Sequence, residues 1–243
     1  MHELRKTAGG LGFEGTLADC ADLTPPGTLD DGVALFDCLS RGVTCEAGAA
    51  AAALSPRAGT LLNSAGLGAA IPCIGTGSPG NAGTAAPNER TIRGCQSKIA
   101  KSGSKLASVR IIQGEKCVSA LLGCQTLRET GGFPSPADDA DCTAKAATTC
   151  THALATLAKA SATAHTAVVR GCAPLLTGEI GSALGFAGLV PACGPLATND
   201  DVASCVVAQT SCKADLAIGL ASPRASEVLG GADLLASFAC LAP

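Results

Sequence analysis

Residues 95–172, CQSKIAKSGSKLASVRIIQGEKCVSALLGCQTLRETGGFPSPADDADCTAKAATTCTHALATLAKASATAHTAVVRGC, hold six of the fourteen cysteines. Paired from the inside outward, Cys124 goes with Cys142, Cys117 with Cys150 and Cys95 with Cys172, and all three pairs share one centre at residues 133–134. Two rods folded back on each other have that property. The centre falls in Gly131-Gly132-Phe133-Pro134-Ser135-Pro136, a run whose glycines and prolines favour a turn. The stretch therefore reads as an antiparallel helical hairpin closed by a ladder of three disulfides.

The second arm carries the cleaner helical pattern. Cys142, Ala146, Cys150, Leu154, Leu157, Ala160, Ala164, Val168 and Cys172 recur at threes and fours, the stripe of an amphipathic helix. Lys145, Thr149, His152, Thr156, Lys159, Thr163 and Arg170 make its polar face. Asp138, Asp139 and Asp141 stand where a helix N-terminus wants acceptors and negative charge, and Gly171 and Pro174 mark its end. On the first arm Cys95, Ile99, Leu106, Val109, Cys117, Ala120, Cys124 and Leu127 share a face, interrupted by Ser102 and Gln113. Gly103 and Gly114 each weaken a helix by about 1 kcal/mol, so a bend or frayed turn is expected there. Cys117 and Cys124 lie about 10.5 Å apart along one helix. A disulfide needs Cα atoms roughly 4.4–6.8 Å apart, so each must find its partner on a facing element.

Composition explains why such a chain needs staples. Aromatics are 2% of 243 residues, with no Trp or Tyr, while Ala, Gly, Ser and Thr abound. Small side chains bury little area, and each closed cystine loop supplies about 2–4 kcal/mol in their place. The cysteine count is even and contains no Cys-x-x-Cys, so all fourteen read as disulfides formed in an oxidising compartment. A net charge of −3 and few aromatics argue against a nucleic-acid partner. No run of 18 strongly apolar residues offers a transmembrane segment. Met1-His2-Glu3-Leu4-Arg5-Lys6 is followed by no apolar stretch, so no signal peptide is visible. An N-terminal truncation would reconcile that with export.

Residues 11–73 resemble residues 184–240. Leu11-Gly12-Phe13 leads to Cys20 as Leu184-Gly185-Phe186 leads to Cys193, at an offset of 173. The offset then settles at 167. It relates Cys38 to Cys205, Cys45 to Cys212, Ser55-Pro56-Arg57-Ala58 to Ser222-Pro223-Arg224-Ala225, and Cys73 to Cys240. Four cysteines and two peptides in register are a repeat signal. Each copy reads as a four-Cys helical cap, with Asp30-Asp31 or Asn199-Asp200-Asp201 capping its first helix. The pairing expected is Cys20–Cys38 with Cys45–Cys73, and Cys193–Cys205 with Cys212–Cys240. The crossed choice, Cys193–Cys212 with Cys205–Cys240, stays open. The expected fold is all-α, with a first cap at 1–73, a flexible linker at 74–90, the hairpin at 91–174 and a second cap at 175–243.

The segment Gly94-Cys95-Gln96-Ser97-Lys98-Ile99-Ala100-Lys101-Ser102-Gly103 resembles the repeated C-Q-x-x-I-A-K-x-G of Cys-rich, Ala/Lys-rich predicted secreted proteins of bacteria. In that group a Leu-Gly-Phe or Ile-Gly-Phe segment leads to a Cys-rich cap with a Pro-Arg helix, as Leu184-Gly185-Phe186 and Ser222-Pro223-Arg224 do here. The resemblance implies export and brings no catalytic residues.

Motifs of the kinds that carry chemistry elsewhere each have a plainer explanation here. Gly75-Thr76-Gly77-Ser78-Pro79-Gly80 fits a dinucleotide fingerprint, but Pro79 removes an amide and no strand precedes it. His2, His152 and His165 lack the free thiolate a Cys-His nucleophile or metal site needs. The aspartates lack the alternating spacing of a calcium loop. Arg90, Arg93, Lys98, Lys101, Lys105 and Arg110 make the first arm basic, and read as a solvated face or a contact for an acidic surface polymer. The sequence thus points to an exported structural or binding scaffold that is not an enzyme and has no catalytic, cofactor or metal residues. Its partner would be a protein, a surface polymer or an apolar ligand. A lipid carrier is the second expectation, with a pocket lined by Leu216, Leu220, Val228, Leu229 and Leu234.

Overall fold

Every element in the computed structural model is helical, and it describes residues 32–68, 73–74, 89–238 and 240–241. Among these residues there is no strand. In order along the chain come α1 (Gly32–Leu54), α2 (Ala58–Ser64), α3 (Glu89–Glu129), α4 (Pro136–Cys172), α5 (Thr177–Leu184), α6 (Val190–Cys193), α7 (Asn199–Ala221) and α8 (Ala225–Gly231). Single 3₁₀ turns at Phe186–Leu189 and Leu235–Phe238 follow α5 and α8. Cys20, Leu11-Gly12-Phe13, Asp30-Asp31, His2 and the Gly75–Gly80 run lie outside the described residues. Helix α3 takes in Glu89 and Arg90, which composition alone assigns to the linker.

Disulfides cross-link these helices. Cys95–Cys172, Cys117–Cys150 and Cys124–Cys142 join α3 to α4, with Cα separations of 4.6, 4.5 and 5.8 Å. Cys193 bonds Cys205 rather than Cys212, and Cys45 bonds Cys73. Cys38, Cys212 and Cys240 are disulfide-bonded as well.

The chain forms two compact units, one of Met1–Thr44, Arg110–Thr156 and Asp215–Pro243, the other of Cys45–Val109 and Leu157–Ala214. In the second unit a continuous apolar cluster gathers Ile92, Cys95 and Ile99 of α3, Val168 and Cys172 of α4, Ile180 of α5, Phe186, and Val202, Ala203 and Val206 of α7. Leu54 closes it from α1 and lies over Gly103, where any Cβ would strike the Leu54 side chain. In the first unit Ile218 and Phe238 pass over Gly114 in the same manner. Helix α3 runs unbroken through both glycines, so the expected fraying is not found. Removing the side chain lets a neighbour approach the backbone closely, and that contact outweighs the cost in helix propensity.

The helix starts are set upstream of the aspartates, at Ser135, three residues before Asp138, and at Thr198, two before Asp200. Ser135 precedes Pro136, the first residue of α4, and its hydroxyl accepts from the Asp138 amide at 3.4 Å while donating to the Asp138 carboxylate at 2.7 Å. Thr198 caps α7 through a reciprocal box. Its hydroxyl accepts from the Asp201 amide at 3.1 Å, and Asp201 accepts from the Thr198 amide at 2.7 Å. The Thr198 hydroxyl also donates to the Asp201 carboxylate at 2.9 Å, and this bond, with those from the Thr198 and Ala197 amides, holds the carboxyl below its ordinary range.

Candidate functional site

The first unit contains a half-open cleft of about 310 Å³ beside the Cys124–Cys142 bridge. Leu121 of α3, Ala146 of α4 and Val228 of α8 form its apolar walls, and Gln125, Arg128 and Glu227 stand at its rim. The pocket expected from the sequence shares only Val228 with it. Leu229 is fully buried in the core, and Leu216, Leu220 and Leu234 do not line the cleft.

Two ion-pair clusters frame that rim. Arg128 binds Asp139 through two bonds of 2.6 and 3.1 Å and donates to Gln125 at 2.7 Å. The bonds from Arg128 hold Asp139 below the usual carboxylate range, so this aspartate serves as an ion-pair partner rather than a cap. Arg224, from the Ser-Pro-Arg turn before α8, donates to Glu129 at 2.9 Å and to Glu227 at 2.7 Å. Its hydrogen bonds, with one from Gln125, hold the Glu129 carboxyl down at about 2, and Glu227 is lowered by the same guanidinium. Ser222, two residues earlier, donates to Glu115 at 3.3 Å, and burial pushes the Glu115 carboxyl up. In the second unit the matching turn uses Arg57, which donates to the Ala183 carbonyl at 2.8 Å. Both Ser-Pro-Arg turns thus anchor a short helix through an arginine.

The buried charge lies elsewhere in the first unit. Arg110 donates to both Asp215 oxygens, at 2.6 and 2.9 Å, and to the Ser237 carbonyl at 2.7 Å. Its guanidinium also sits 5.3 Å from the Phe238 ring centre. Arg110 is only 9% exposed, so it does not belong to the solvated basic face that its neighbours on the first arm suggest. Burial pushes the Asp215 carboxyl upward, and the two bonds from Arg110 oppose that shift.

In the second unit His165 Nε2 lies 3.3 Å from both Ser204 Oγ and Asp200 Oδ1. A nucleophilic relay places serine and acid on opposite ring nitrogens, so this trio does not form one. His165 is therefore a bridging side chain rather than a free surface residue, whereas His152 is exposed. Among the described residues no group of His, Cys, Asp and Glu is placed to hold a metal.

No family model, curated protein or solved structure matches this chain. The chemistry of the site is accordingly read from its own residues. It provides an apolar cleft with an internally paired rim, a buried ion pair that orders the surrounding helices, and a cystine-braced frame.

Proposed function

We propose that the protein is an exported, non-enzymatic binding scaffold. In this reading residues 91–174 form an antiparallel hairpin riveted by Cys95–Cys172, Cys117–Cys150 and Cys124–Cys142. Two copies of a four-Cys cap, 1–73 and 175–243, flank it, and Cys20–Cys38 and Cys212–Cys240 complete their pairings. The observation that carries the reading is the backbone match at an offset of 167. Helices α1 and α7 both have 23 residues, α2 and α8 both have 7, and all their bounds differ by that offset. Arg57 and Arg224 share φ −85°, and Gly66 and Asp233 both take positive φ, at 72° and 58°. The Leu67 amide donates to Leu62, and the Leu234 amide to Leu229, each at 2.8 Å. Glu46 and Lys213, at equivalent positions of the two copies, approach each other at 3.4 Å.

Cystines persist in oxidising compartments, which supports export. No helix of the described residues is long and apolar enough to cross a membrane. The likeness of Gly94–Gly103 to predicted secreted proteins of bacteria points the same way. On a frame of small side chains the cross-links substitute for a large core, and such a frame presents fixed surfaces to a partner. The test is thiol alkylation of the protein in its native compartment followed by mass measurement. Complete protection of all cysteines is expected, and labelled thiols refute the exported scaffold. The cleft beside Cys124–Cys142 favours a second reading, a carrier of an apolar molecule. Native mass spectrometry of the purified chain tests it, since a carrier retains lipid and a solid scaffold does not.

A further inference from the structure

The two units differ in charge. The second, Cys45–Val109 with Leu157–Ala214, holds nine Lys and Arg against five Asp and Glu, whereas the remainder of the chain holds eight against fifteen. Three of the nine cations have partners, since Arg57 bonds a carbonyl, Arg93 pairs with Glu89 and Lys213 with Glu46. Arg90, Lys98, Lys101, Lys105, Lys159 and Arg170 are exposed and make no ion pair or side-chain hydrogen bond among the described residues. Four of these six are on α3. At about 100° per residue, Arg90, Lys98, Lys101 and Lys105 fall within an arc of roughly 80°, along about 22 Å of helix. No acidic residue occurs between Arg90 and Gly114 to neutralise them.

The arc is also shaped. The Lys98 stem lies against Gly171 of α4, where a Cβ would come within 2.6 Å of Lys98 Cγ and 2.7 Å of its Cβ. Glycine at that point lets the aliphatic part of Lys98 lie on the neighbouring helix, so its ammonium starts from a restricted position. The charged ends flank the buried stripe of Cys95, Ile99 and Leu106 and do not enter it. Leaving four like charges unpaired on one helix face is unfavourable without a counter-charge.

We propose that this face of α3 binds a linear acidic polysaccharide. This deepens the scaffold reading and rests on it. Three of the four cations are lysines, point charges suited to anionic groups spread along a chain rather than to one bidentate group. No aromatic residue occurs in α3, so the face lacks the stacking platforms that hold single-stranded nucleic acid.

The experiment measures binding of a heparin oligosaccharide and of polygalacturonate to the full-length, oxidised chain between 50 and 200 mM salt. Each neutralised contact contributes about 0.7–0.9 to the slope of log affinity against log salt, so four contacts give a slope near −3 and about 60-fold weakening across that range. The triple variant Lys98→Glu, Lys101→Glu, Lys105→Glu should bind at least tenfold more weakly than the control triple variant Lys145→Glu, Lys159→Glu, Arg170→Glu. Both variants carry the same net charge, so the comparison isolates the position of the cations from their number. Equal loss in both variants, or no binding of either polysaccharide by the parent chain, overturns the proposal. Equal competition by single-stranded DNA overturns the polysaccharide assignment. None of these outcomes bears on the scaffold reading, which fails instead if the exported protein carries free thiols.

Discussion

The Arg110–Asp215 pair is the place where the fold is most exposed to a single substitution. Both side chains are almost fully buried, and the guanidinium satisfies two carboxylate oxygens and the Ser237 carbonyl at once. Asp215→Asn leaves a buried cation without its counter-charge, and breaking such a pair costs about 3–5 kcal/mol. Arg110→Met leaves a buried carboxylate and also frees the Ser237 carbonyl, so it should cost at least as much. The double variant Arg110→Met, Asp215→Leu removes both charges together. Replacing a whole buried pair with apolar groups is often neutral or stabilising, so the double should cost far less than the sum of the singles. Urea unfolding with the disulfides intact, followed by far-UV circular dichroism, reads the three midpoints. Amide exchange at Ser237 reports whether the loss begins at this site. Single variants each costing under about 1 kcal/mol, with an additive double, would refute the claim that this pair orders the first unit.

Gly103→Ala should destabilise the chain by about 1–3 kcal/mol despite the better helix propensity of alanine, because its Cβ strikes Leu54. Shortening the obstacle in Gly103→Ala, Leu54→Ala should restore part of that loss in thermal melts. Glu129, held down at about 2 by Arg224, contributes stability that is complete above the ordinary carboxylate range and is lost as the pH falls through that range toward 2. Glu129→Gln should therefore flatten the unfolding midpoint between pH 5 and 2, measured as urea midpoints at successive pH values; an unchanged slope contradicts the assignment. Removing the outer bridge as Cys95→Ser, Cys172→Ser should cost about 2–4 kcal/mol, and a thermal midpoint equal to the parent's would show that this bridge does not brace the helices.

Much of this architecture is legible in the residues before any coordinates, because the cysteines share a centre and the stripes repeat at helical spacing. Gly103 and Gly114 read as weak points in the sequence, since a glycine's value depends on what crosses it, and Leu54 and Ile218 are remote in sequence. Arg110 carries a usable signal. It follows Leu106 by four residues on the buried face of α3, as Ile218 follows Asp215 by three on α7. Opposite charges continuing two apolar stripes are the mark of a buried pair. Thr198 and Asp201 likewise spell a capping box that the aspartates alone do not reveal. The cleft has no such signal. Its walls come from α3, α4 and α8, and nothing local in the sequence says which residues of three helices line one space.

Peptide mapping under non-reducing conditions tests the central claim most directly. Digestion of the oxidised protein should release cross-linked peptides joining Cys95 to Cys172, Cys117 to Cys150 and Cys124 to Cys142. Any other partner for Cys117, or a free thiol among the six, would contradict two helices bridged at three matched levels.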